Sequence, residues 1–120
     1  MQFARLSTSA VVENIATLIP SHPSRMNAQV LNYVYVDGMA EKRGPHRADH
    51  LALARAAAAA GELLIGGPFE DMEHGLMLFT SSAAAERFAM SDPYVLNDLV
   101  PHFGIRVLSA AVGSFHGQLK

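Results

Sequence analysis

Residues 29–39, QVLNYVYVDGM, are rich in β-branched and aromatic side chains and end in Asp-Gly, the composition of a strand. A period of two sends Leu31, Tyr33 and Tyr35 to one side and Val30, Val34 and Val36 to the other. Residues 45–60 open with Pro45, run through alanine and leucine, and are followed by Gly61, the Pro-in, Gly-out asymmetry of a helix. ELLIGG (62–67) and HGLMLFT (74–80) predict short apolar strands joined by the turn FEDME, and Gly66, Gly67 and Pro68 read as residues that turn the chain. Ser82 is placed to cap a helix running through Met90, Pro93 opens a further short helical turn, and HFGIRVLSA (102–110) predicts a last strand. The order is β-α-β-β-α-β. It predicts an α+β fold of the ferredoxin-like kind, with a four-stranded antiparallel sheet and both helices on one face.

Ahead of this unit, residues 9–19 carry an apolar face of Val11, Val12, Ile15, Leu18 and Ile19, with Ser9 as cap and Pro20 beyond the end. This predicts an extra N-terminal amphipathic helix, followed by the linker PSHPSRMN. The expected organisation is therefore an extension over 1–28, a domain over 29–110, and a tail over 111–120 whose pattern specifies no element. Both sides of the first strand are largely apolar, so the sheet face away from the helices needs a cover. A second copy of the chain is the simplest one, and a homodimer or higher homo-oligomer is expected.

Composition narrows the function. The chain has 120 residues, half of them hydrophobic, enough for one domain with its own core. The net charge of −2 without clustered positive residues argues against nucleic acid. No run approaches the roughly 20 apolar residues of a membrane span, and Glu13 and Asn14 interrupt the only stretch that could imitate a signal peptide. There is no cysteine, which removes disulfides, thiolate catalysis and Cys-based zinc sites. Together these features suggest a cytoplasmic protein.

His50 is the residue whose chemistry stands out. It lies near the start of an alanine-rich helix, and an imidazole titrates close enough to neutrality to serve as base or acid. Arg47, one turn earlier, has the fork to hold an anionic group, or is a solvated surface charge. Asp92, followed by Pro93, reads as a helix N-cap whose carboxylate keeps a second oxygen for another partner. His46 and His50 are spaced i, i+4, the geometry of a metal pair that His74 or His102 could complete. However, Arg47 is a poor neighbour for a cation and Pro45 sets His46 at a frayed helix start, so no metal ligands are assigned. Phe79, Phe88 and Met90 read as core. No phosphate loop or nucleotide fingerprint is present, and no cofactor is expected.

Residues 29–108 resemble the YCII family, small dimeric α+β-barrel proteins related in fold to muconolactone isomerases. The matching pieces are Arg47-Ala48-Asp49-His50-Leu51, Gly61-Glu62-Leu63-Leu64 with Gly67-Pro68, and Asp92-Pro93-Tyr94. The resemblance implies a catalytic pair of His50 and Asp92, with Arg47, Gly67, Pro68 and Tyr94 on the substrate side. Asn97-Asp98 departs from the family pattern, which often has a glycine there. The expected activity is that of a cofactor-independent lyase or isomerase moving a proton on a small organic, anionic molecule. The alternative is a non-catalytic ligand-binding or assembly module on the same fold.

Overall fold

The elements follow in the order β1 (Asn27–Val34), α1 (Met39–Lys42), α2 (Gly44–Ala59), β2 (Leu63–Pro68), β3 (His74–Phe79), α3 (Ser82–Ser91), α4 (Pro93–Leu96) and β4 (His102–Ser109). The structure is a computed structural model that describes residues 27–114. The helix expected over 9–19 and the end of the tail, 115–120, lie outside the described residues. Residues 29–107 form one compact unit; 27–28 and 108–114 belong to a second, within which Ser109 Oγ donates to Asn27 Oδ1 at 3.3 Å. The strands make a four-stranded antiparallel sheet in the order β2-β3-β1-β4, the ferredoxin-like arrangement expected from the pattern. No helix among the described residues is long and apolar enough to cross a membrane.

The register explains the core. Leu31 pairs with Met77, Gln29 with Phe79, and Tyr33 with Gly75, and paired residues share a face of the sheet. Leu31, Tyr33, Met77 and Phe79 are all buried, packed with Ala84, Ala85, Phe88 and Ala89 of α3 and Tyr94 of α4. Each large apolar side chain so buried contributes on the order of 1.5–3 kcal/mol. Val30 and Val34 point the other way, level with Leu78 and His74, and Ile65 on β2 is level with Leu78 and 56 % exposed.

Helix α2 is alanine-rich because its work is to approach closely. No α2 residue is fully buried, yet Leu53, Ala54 and Ala57 pack against the core cluster. Alanine costs little to hold in a helix, and its small side chain lets α2 sit close to β2 and α4. Gly61 ends the helix at φ 77°, its N–H bonding Ala58 O at 3.0 Å while Glu62 N–H bonds Ala57 O at 2.9 Å. This double closure is the Schellman arrangement, and it favours glycine at the left-handed position.

Three local expectations are corrected. The first strand stops at Val34, opposite His74 where β3 begins, and does not run to 39; Gly38 then turns left-handed at φ 74° to open α1. Tyr35 and Val36 are therefore held outside the strand ladder, their N–H groups bonding Glu73 O at 2.8 Å and Leu99 O at 3.1 Å. The cap of α3 is Ser81, extended at φ −148°, whose Oγ accepts from Ala84 N–H at 3.1 Å; Ser82 is already helical. Gly66, Gly67 and Pro68 do not turn the chain: they belong to β2, opposite Met77, Leu76 and Gly75. The strand is at the sheet edge, where a terminal proline is tolerated. The turn itself is Phe69–Glu73, closed by Phe69 N–H to His74 O at 2.8 Å.

Candidate active site

Asp92 sits at the joint between α3 and α4, where it ends one helix and caps the next. Its backbone is extended at φ −70° and ψ 123°, and Pro93 supplies the fixed first residue of α4. The carboxylate is completely buried and accepts three hydrogen bonds. Tyr94 N–H donates to Oδ1 at 3.0 Å, the Tyr33 hydroxyl donates to Oδ2 at 2.7 Å, and His50 Nδ1 lies 2.8 Å from Oδ1. A buried carboxylate is costly unless its oxygens are satisfied, and here they are, by donors from β1, α2 and its own turn. Tyr33 is 59 positions away and His50 is 42, so only the fold brings them together.

His50 stands near the beginning of α2 with its side chain 13 % exposed. A carboxylate already receiving two donors is an acceptor, so the Nδ1 facing it carries the hydrogen. That leaves Nε2 for the cavity His50 lines. The ring is clamped: it stacks on Tyr94 with centroids 3.8 Å apart and planes within 6°, and meets Phe88 edge-on at 6.0 Å.

The cavity has a volume of about 240 Å³, just below the roughly 300–1,000 Å³ of clefts that hold drug-sized ligands. Its polar lining is His50, Arg43, Arg47, Tyr35 and Tyr94; its apolar side includes Met39, Met72 and Met77. Of the residues singled out from sequence, Arg47, His50, Gly67, Pro68 and Tyr94 all line it, and Asp92 lies beneath His50. Tyr33, Tyr35 and Arg43 are additions. The tyrosines were visible only as alternating positions on a strand, and Arg43 fell in the connection before α2. Among the described residues, the ion pairs are His50–Asp92 and Arg87–Glu62, so neither Arg43 nor Arg47 is bound to a carboxylate. His50 is not brought together with His46, His74 or His102 as a metal set; the one grouping of three such residues among those described is Asp71, Glu73 and His74, all exposed.

The chain has three tyrosines, and all three gather here. Burial pushes the Tyr33 hydroxyl well above its ordinary value, and the Asp92 charge and hydrogen bond add to this. Tyr35 is pushed up to about 12 by burial, by Tyr94 and by Asp92, against the opposing pull of Arg43. Burial also raises Tyr94, with Arg43 and Arg47 pulling the other way. The three phenols are thus kept as neutral hydrogen-bond donors.

No protein-family model matches the chain, and no curated protein matches it. Solved structures do. The 5-chloro-2-hydroxyhydroquinone dehydrochlorinase TftG of Burkholderia phenoliruptrix AC1100, in complex with 2,5-dihydroxybenzoquinone, is 19% identical, with a TM-score of 0.56 over 66% of this chain and 90% of that one. Protein PA3566 of Pseudomonas aeruginosa is 18% identical at a TM-score of 0.46, covering 77% and 100%. Rv0793 of Mycobacterium tuberculosis is 16% identical at 0.45, covering 73% and 97%. The likeness to TftG is one of fold, and that fold is the dimeric α+β barrel.

Proposed function

We propose that this chain is a cofactor-independent lyase or isomerase that moves a proton on a small anionic organic molecule. The observation that carries this reading is the 2.8 Å contact between His50 Nδ1 and the buried Asp92, with Nε2 left for the cavity. His50 Nε2 takes a proton from a carbon next to a carbonyl group, and Asp92 holds the ring in the required tautomer and stabilises the imidazolium. In an isomerase the proton returns at another atom. In a lyase a leaving group departs from the adjacent carbon with its electron pair. Arg47 receives an anionic group of the substrate, and Gly67 and Pro68 leave room for it at the wall. A dehydrochlorinase on the same fold, solved with a small dihydroxyquinone, supports a small-molecule substrate.

The functional unit is a homodimer, formed on the sheet face that carries Val30, Val34, Leu76, Leu78 and Ile65. Light scattering at micromolar concentration is expected to give at least two chains, and a clean monomer would remove this part of the reading. The chemistry is tested by proton NMR in D₂O on a panel of small keto and hydroxy acids and dihydroxyquinones. Deuterium should enter at the carbon next to the carbonyl with the wild-type protein and fail to enter with His50→Gln. Equal exchange in the two proteins sinks the acid–base role.

A further inference from the structure

We propose that Tyr35 is a second catalytic residue, whose hydroxyl, with the Arg43 guanidinium near it, binds the carbonyl oxygen of the substrate and stabilises the negative charge that develops there. This rests on the acid–base reading of His50 and extends it to the other end of the same cavity.

The argument starts from where Tyr35 is. β1 ends at Val34, yet Tyr35 keeps the side that alternation gives it with Leu31 and Tyr33, and its ring lies over Gly75, the partner of Tyr33. A Cβ on Gly75 would press into the Tyr35 hydroxyl and come within 2.8 Å of Cζ. The missing side chain of Gly75 is therefore the seat of the phenol. From that seat Tyr35 lines the cavity that His50 lines. The Tyr33 hydroxyl is consumed by Asp92, whereas that of Tyr35 has no hydrogen-bond partner among the described residues. A half-buried hydroxyl without a protein partner calls for one from outside. With its ionisation pushed up to about 12, it serves as a donor, not as a base. Arg43 also lines the cavity without a carboxylate partner, so this end of the cavity is positive and donor-rich.

A proton-abstracting base needs such a site. When His50 Nε2 removes the proton, the C–H electron pair becomes a carbon–carbon double bond and the carbonyl π pair moves to oxygen. The step is redox-neutral, and the oxygen is where the charge arrives. Donors fixed in advance around that oxygen act mainly on the transition state. The substrate class is then an enolisable carbonyl or quinoid compound, with its carbonyl oxygen at Tyr35 and Arg43 and a separate anionic group at Arg47.

The test uses 4-nitrophenol, whose phenolate is a stable oxyanion and is yellow. Wild-type protein is expected to bind it preferentially ionised, raising the phenolate absorbance at a pH below the dye's own midpoint. Tyr35→Phe keeps the ring over Gly75 and removes only the hydroxyl. Its affinity for the phenolate should fall by about 10-fold or more, as for loss of a hydrogen bond to a charged group, and the ionised fraction of bound dye should drop towards that in solution. Arg43→Gln should lower the ionised fraction as well, and decides the matter alone if Tyr35→Phe fails to fold. Undiminished phenolate binding in these variants, or no binding to the wild type at millimolar dye, overturns the proposal. Deuterium exchange is measured alongside: exchange insensitive to His50→Gln sinks the acid–base reading, and phenolate binding insensitive to Tyr35→Phe sinks this one.

Discussion

Among the described residues, two carboxylates hold a basic side chain at close range, and they are not equivalent. Asp92 lies 2.8 Å from His50 with side-chain exposures of 0% and 13%, while Glu62 lies 2.5 Å from Arg87 with exposures of 36% and 59%. By distance the second is the tighter pair. By physics the first matters more. Water screens the exposed pair, and fixing a long arginine costs entropy, so such pairs contribute about 0.2–1 kcal/mol. The buried carboxylate has no water to fall back on. Its protein donors are its whole solvation shell, and each donor in turn depends on it.

The largest test of this contrast removes the centre. Asp92→Ala leaves the Tyr33 hydroxyl, the Tyr94 N–H and His50 Nδ1 without their acceptor, and is expected to cost on the order of 3–5 kcal/mol in urea denaturation, with loss of any His50-dependent exchange. A cost near that of a surface mutation would mean that water reaches the joint between α3 and α4.

Tyr33→Phe is a smaller change in the same network. It leaves Asp92 Oδ2 without its buried donor and should cost about 1–3 kcal/mol while the His50 contact survives. Stability should therefore fall more than activity, and measuring both in one variant separates support of the carboxylate from its action on His50.

Alkali offers a third handle. A phenol that ionises at 10.0 when unfolded and at about 12 when folded, as Tyr35 does, favours the native state fully below pH 10. That contribution is lost as pH rises from 10 through 12; Tyr33 and Tyr94, also raised, act in the same sense. Absorbance at 295 nm should show no native tyrosine titrating at the ordinary value, and the melting temperature should decline above pH 10. A step at pH 10 in the folded protein would contradict the burial of these hydroxyls.

The smallest effect belongs to the exposed pair. Arg87→Ala should change stability by less than about 1 kcal/mol, and the difference should shrink further at high salt. A cost equal to that of Tyr33→Phe would erase the distinction between the two pairs.

The element order could be read from the chain because each element has a short-range cause: Pro45 before and Gly61 after a run of alanine, β-branched residues at 30, 34 and 36, and serines ahead of α3. Placing the cap at Ser82 when it is Ser81 shows the grain of such reading, since adjacent serines carry the same local chemistry. His50 and Asp92 were singled out through the resemblance of the segments around them. Tyr33 was legible as an inward position, but alternation says which face a side chain takes, not what waits there. Tyr35 was legible in the same way, as a third position on the face of Leu31 and Tyr33, but nothing local shows that Gly75 leaves a seat for its ring at the wall of the cavity. Arg43 lies between α1, a helix the pattern did not announce, and α2, in a connection with no period to assign it a side.

The seat that Gly75 makes for Tyr35 also constrains how this protein can change over generations. Any side chain at position 75 collides with the phenol, so a substitution there either drives the Tyr35 ring from its seat or follows replacement of Tyr35 by something smaller. Tyr35 itself can be lost first while Gly75 persists. The two positions are therefore linked by an ordered path: once position 75 carries a larger residue, glycine has to return there before the tyrosine can.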